Sequence, residues 1–91
     1  MTELARELDR VDTRLTALPQ RHQAHAADLA HSAAQRIRDI TAGTEAPPDV
    51  PRIGDHAAGA QLHVVCAEFV ASGGDETEAA QVLADLRRAL P

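Results

Sequence analysis

The stretch DHAAGAQLHVVCAEFVAS, residues 55–72, concentrates its bulky apolar side chains between Leu62 and Val70. It contains the only phenylalanine, Phe69, and the only cysteine, Cys66. On a helical wheel its apolar residues form one broad stripe, made of Ala58, Leu62, Val65, Cys66, Phe69 and Val70. We therefore predict that this stretch is the central helix of a small all-helical domain, with Asp55 as its N-cap.

Alanine dominates the composition around that helix. Among 91 residues there are 19 alanines, against 20 leucine, isoleucine, valine, phenylalanine and methionine residues together. The length predicts one domain over residues 1–91. Alanine favours helices and permits close helix approach, but it buries little apolar area. A core with so little bulk favours self-association, because association buries further apolar surface.

The first helix is predicted over about residues 2–18, with Thr2 as its N-cap. Its apolar residues are spaced as in a two-position heptad, at Leu4, Leu8, Val11, Leu15 and Leu18. Charged residues flank this stripe, and Glu7 and Arg10 are helical neighbours of opposite sign. A stripe this narrow fits one partner helix, either in a hairpin or across a dimer. We therefore take these five residues as interface candidates, together with Val64 on the polar side of the third helix.

Three further helices are predicted, over about residues 20–42, 55–72 and 75–90. Pro19 separates the first two, since it disfavours helical geometry before it and suits the first turn after it. Residues 43–54 contain three prolines and form a linker, from which we expect Ile53 to pack back on the bundle. Asp75 is the expected N-cap of the last helix.

These elements predict an all-α fold, a small four-helix bundle of two helical hairpins joined by the Pro-rich linker. The short Gly73-Gly74 link favours an antiparallel hairpin of the third and fourth helices. In an alternative arrangement the first two helices are splayed or nearly continuous and pair with a second copy.

Two pairs of residues have the spacing of metal ligands on a helix. His63 and Cys66 lie three residues apart, as do His22 and His25, with Asp28 three residues further. Either pair supplies part of a zinc site, and a histidine beside a cysteine can also activate the thiol. A structural zinc site needs four ligands, however, and the chain has one cysteine. Packing residues at the edge of a core explain the same pattern, and we predict no metal, cofactor or catalytic site.

Charge and composition narrow the class of partner. The net charge is -5, and the nine basic residues, all arginine, are interspersed with acids, which disfavours a nucleic-acid-binding surface. The sequence has no apolar run of membrane-spanning length and no signal-peptide pattern at its start. A single cysteine cannot form an intrachain disulfide. We therefore expect a cytoplasmic protein that does not enter membranes.

The function is unknown from the sequence, and the leading hypothesis is a small non-enzymatic helical interaction or assembly module. It would act through its helix faces as a homo-oligomer, with a homodimer expected, and no small-molecule substrate is evident. Two alternatives stay open: a metal- or redox-responsive protein that uses His63 and Cys66, and a dimeric regulator that binds nucleic acid.

Overall fold

A computed structural model describes residues 2–42, 50–52 and 54–91. Within these residues there are four helices and no strand, which confirms the predicted all-α four-helix bundle. The helices are α1 (Glu3–Ala17), α2 (Gln20–Ala42), α3 (Ala58–Ala71) and α4 (Glu76–Ala89), with a short 3-10 turn (Asp55–Ala57) leading into α3. The expected packing of Ile53 lies outside the described residues.

Side-chain caps begin two of the helices. The side chains of Thr2 and Asp75 each accept a hydrogen bond from a backbone amide in the first turn of α1 and α4, as predicted. Asp55 does not cap α3, and that prediction is wrong. The chain enters α3 through the 3-10 turn, and the Asp55 carboxylate instead accepts a hydrogen bond from Arg52 at 3.0 Å.

The helices pair differently from the expected two hairpins. The most extensive contacts join α1 with α4 and α2 with α3, while α2 and α4 pack less extensively and α1 and α3 less again. In the described residues, the consecutive pairs α1–α2 and α3–α4 have the fewest contacts of all. The bundle is therefore built from the first helix with the last and from the two middle helices, rather than from the pairs α1–α2 and α3–α4.

Both main pairs are parallel. Glu7 of α1 contacts Arg87 of α4, and two turns later Arg14 donates to the carbonyl oxygen of Pro91 at 2.9 Å. Contacts between these helices thus advance in the same direction along both. The same is true of α2 and α3, where Arg38 and Glu68 form an ion pair at 3.0 Å and Arg52 links Asp28 near the start of α2 to the turn before α3.

Residues 50–52, which precede α3, lie against the middle of α2. The amide of Val50 donates to the side chain of Gln35 at 2.7 Å, and the carbonyl oxygen of Val50 lies 2.7 Å from Nε2 of His31. Val50 itself is 3% exposed. These contacts fix Val50 against α2, a few residues before α3 begins.

Most residues of the predicted apolar stripes of α3 and α4 lie in the core. Phe69 is fully buried and lies at the centre of the α3 stripe, and every residue of the α4 stripe is buried: Ala79, Val82, Leu83, Leu86 and Leu90. Val70 is the exception, since it is 47% exposed. It lies at the edge of the α3 stripe that faces α1, where the two helices are in limited contact.

The Gly73-Gly74 turn fits closely around Phe69. Gly73 has a φ of 81°, in the left-handed region that glycine adopts most readily. The amide of Gly74 donates to the carbonyl oxygen of Phe69 at 3.1 Å. A Cβ atom on Gly74 would lie 2.5 Å from the Phe69 ring, so the absence of a side chain there lets the ring reach its place in the core.

We therefore expect Gly74→Ala to lower the free energy of unfolding by about 1–3 kcal/mol, the usual cost of overpacking a core, as measured by urea denaturation. In a Phe69→Leu background the same change should cost less, because the smaller side chain leaves room for the methyl group. Equal costs in the two backgrounds would show that the ring and Gly74 do not compete for space.

Candidate functional site

The structure separates His63 from Cys66. Nε2 of His63 forms a hydrogen bond with Oδ2 of Asp12 in α1, and both side chains are nearly half exposed. Cys66 is 2% exposed and belongs to the core. Among the residues that the structure describes, no group of three histidine, cysteine, aspartate or glutamate side chains is placed to hold a metal ion.

Burial sets the chemistry of the Cys66 thiol. Removal from water disfavours the thiolate and raises the pKa of Cys66 from 9.0 to about 11. At neutral pH the side chain is therefore a thiol rather than the thiolate that attacks electrophiles or binds metals. In this conformation Cys66 acts as a small apolar core residue.

The second predicted ligand pair is not assembled into a site either. On α2, His22 is partly buried and His25 is exposed. Asp28 is engaged by Arg52, whose guanidinium lies 2.9 Å from the Asp28 carboxylate. Asp28 thus binds Arg52, which lies in the segment before α3, and is not placed beside His22 and His25 as a ligand.

A charged cluster links α1 to α4, and the sequence analysis identified its Glu7–Arg10 pair but not the third member, Arg87. Glu7 is 3% exposed, and its carboxylate accepts hydrogen bonds from Arg87 at 3.0 and 3.3 Å and from Arg10 at 2.8 Å. The Arg87 hydrogen bond lowers the pKa of Glu7, against the opposing effect of burial. Glu7 lies three residues after Leu4 and four before Val11, a heptad spacing that would have identified it as an inward-facing position.

The interface candidates of α1 are divided between core and surface. Leu4 and Val11 are buried inside their own bundle, so they are not exposed to a partner. Leu8, Leu15 and Leu18 are partly buried against the core. The heptad stripe of α1 is thus largely satisfied within the chain.

An apolar groove lies between α1 and α3, the adjacent pair of helices with the least contact. This seam groove has a volume of about 440 Å³, and its lining includes Leu8, Ala67 and Val70. The buried residues Leu4 and Cys66 form its base. Glu76, at the start of α4, contributes a charged side chain to the lining.

Next to the seam groove, α3 presents an apolar surface to solvent. Val64 is 56% exposed and lies on the same side of the helix as three exposed alanines. We call these four residues the α3 outer face: Ala60, Val64, Ala67 and Ala71. The opposite side of α3 is buried in the core. A helix that is apolar on both sides is typically covered on both, so the α3 outer face has the character of a packing surface.

No family model, curated protein or solved structure matches this chain. Of the helices described, none has the length and apolar character needed to cross a membrane. The geometry of the described residues is therefore the basis for a functional proposal.

We expect Glu7→Gln to lower the free energy of unfolding at pH 7 by about 1–3 kcal/mol, because a buried hydrogen-bonded charge is replaced by a weaker acceptor. The pKa of Glu7 is lowered by folding, so its contribution is complete above the ordinary glutamate pKa of about 4.3. It is lost as the pH falls through the lowered folded-state value.

The measurement is urea unfolding of both proteins between pH 7 and pH 3, and their difference in stability should shrink at the acidic end. Glu3→Gln is the matched control, because Glu3 is exposed and its nearest arginine nitrogen is 3.9 Å away. It should cost less than about 0.5 kcal/mol. An equal effect at the two positions would contradict the buried linkage between α1 and α4.

The Cys66 thiol should react at least about 100-fold more slowly with a disulfide reagent in the native protein than in the unfolded chain, at the same neutral pH. The rise in the pKa of Cys66 from 9.0 to about 11 lowers the thiolate fraction at neutral pH about 100-fold, and burial adds a steric barrier. Stopped-flow or absorbance kinetics with and without urea measure the ratio. Similar rates in both states would place Cys66 at the surface.

Proposed function

We propose that this chain is a small non-enzymatic helical module that works by protein–protein association, and that its partner is a second copy of itself. The observation that carries the proposal is the α3 outer face, an apolar surface on a helix whose other side already forms the core. Covering such a surface removes apolar area from water and stabilises the folded chain.

The seam groove extends this apolar surface toward α1. Val70 is 47% exposed at its edge, next to the partly buried Leu8. The groove and the α3 outer face share Ala67 and Ala71, so they form one largely apolar region, in which Thr2, His63 and Glu76 are polar. Contiguous patches of this kind are typical of protein interaction sites, whereas single exposed valines are common on any surface.

The non-enzymatic part of the proposal rests on the side chains that would perform chemistry. His63 is paired with Asp12, Cys66 is a buried thiol, and Glu7 is neutralised by two arginines. Each of these groups has a structural partner or a place in the core. We further propose a cytoplasmic location, on the sequence argument that one cysteine allows no intrachain disulfide.

Sedimentation velocity over a wide range of protein concentration tests the association. We expect a reversible monomer–dimer equilibrium, and we expect Val64→Glu to weaken it by at least about tenfold. The loss of a buried valine alone is about 1.5 kcal/mol, and burying a carboxylate costs more. Circular dichroism should show that the variant monomer remains folded, since Val64 is exposed in the single chain.

Ala24→Glu is the matched control, because Ala24 is exposed on α2 and the change adds the same charge. It should leave the equilibrium constant within about twofold of the unmodified chain. A protein that sediments as a monomer at every concentration would refute self-association. Equal weakening by both variants would show that charge, rather than the α3 outer face, governs the equilibrium.

A further inference from the structure

We infer that a cleft at one end of the bundle binds a small organic cation, a primary ammonium group carried on a compact apolar body. This end cleft lies where α1 ends and where α2 and α3 begin, and it has a volume of about 220 Å³. It shares no residue with the seam groove or with the α3 outer face, so the inference goes beyond the proposed self-association.

The floor of the end cleft consists of small apolar side chains. Ala26 and Ala27 of α2 and Ala58 of α3 line the cleft and are buried, while Leu15 and Leu18 of α1 add larger apolar walls. An apolar cavity of about 150 Å³ binds benzene. The end cleft, at about 220 Å³, therefore has room for one ring with a short substituent.

Asp12 supplies the group that recognises a cation. Its Oδ2 atom forms a hydrogen bond with Nε2 of His63, which holds the carboxylate against α3. Its Oδ1 atom has no hydrogen-bond donor among the described residues and lies beside Gly59 in the lining of the end cleft. The side chain is 40% exposed, so a ligand can reach it from solvent. A carboxylate oxygen of this kind forms a charge-assisted hydrogen bond with an ammonium group.

The other polar groups of the end cleft favour a cation over an anion. None of the described residues that line it is an arginine, whereas Asp55 adds a second carboxylate. Arg52 binds Oδ1 of Asp55 at 3.0 Å and offsets that charge, so Asp12 is the main cation-binding group. Thr16 and Gln23 bring oxygen atoms that accept from the remaining N–H groups of an ammonium. An anionic ligand would instead be repelled by the carboxylates.

The glycine at position 59 leaves space beside the Asp12 carboxylate. Gly59 lies inside α3, where alanine would be the better helix former. A Cβ atom there would lie 3.0 Å from Oδ1 of Asp12 and 3.9 Å from a methyl group of Leu15. It would therefore fill part of the cleft next to the oxygen that binds the cation. The glycine costs helix stability and keeps this oxygen accessible to a ligand.

NMR titration of the ¹⁵N-labelled full chain with benzylammonium tests the site. This probe joins the cationic group to a single ring that the end cleft can accommodate. Benzyl alcohol is the matched probe, because it has nearly the same shape and no charge. We expect saturable shift changes at the amides of Asp12, Ala58 and Gly59, and we expect benzyl alcohol to bind at least about tenfold more weakly, since it forms no charge-assisted hydrogen bond.

Two variants remove the features that carry the inference. Asp12→Asn keeps the size of the side chain and removes its charge, and it should weaken benzylammonium binding by at least about tenfold. Gly59→Ala should weaken it similarly by filling the cleft, while circular dichroism shows that the helices remain. Asp9→Asn is the matched control, because Asp9 is exposed on the same helix and does not line the end cleft. It should leave the dissociation constant within about twofold.

Equal binding of the two probes would overturn the recognition of a cation. Equal weakening by D12N and D9N would show a general attraction to an acidic chain and would overturn the site. Shift changes that do not saturate, or that lie away from the end cleft, would do the same. These measurements are read separately from sedimentation, so a failure of this inference is distinguishable from a failure of self-association.

Discussion

The shortage of bulk in the core is the constraint on which the rest of the bundle depends. Many of the buried positions are alanines, and the few large side chains, with Phe69 at the centre, fill the space between four closely approaching helices. Such a core leaves little tolerance for added volume. The glycine beside the Phe69 ring, the buried cysteine and the missing side chain at Gly59 next to Asp12 follow from the same closeness.

Within that constraint, long-range polar contacts select which helices become neighbours. Arg87 and Glu7 are separated by 80 residues and join α1 to α4, while Arg52 and Val50 hold the segment before α3 on α2. Each contact adds modest free energy by itself. Together they favour the parallel pairs α1–α4 and α2–α3 over the hairpins α1–α2 and α3–α4.

Sequence reasoning recovered the elements and not their pairing. Apolar periodicity and the caps at Thr2 and Asp75 are local signals, so the four helices and most buried positions of α3 and α4 could be predicted. Periodicity shows which side of a helix is apolar but not which helix covers it. For the candidate site, His63 and Cys66 differ by about 60° around α3, enough to place one at the surface and the other in the core. Val64 was recognisable because it is a bulky apolar residue on the side of α3 opposite the core stripe.

The parallel pairing of α1 with α4 also determines where the two described ends of the chain emerge. Thr2 precedes α1, and Pro91 follows α4 beside Arg14 at the far end of α1. A 15-residue helix is roughly 22 Å long, so these two points lie at opposite poles of a body whose longest dimension is 37 Å. Polypeptides fused before Thr2 and after Pro91 would therefore begin at opposite ends of the bundle and be separated by about the length of α1.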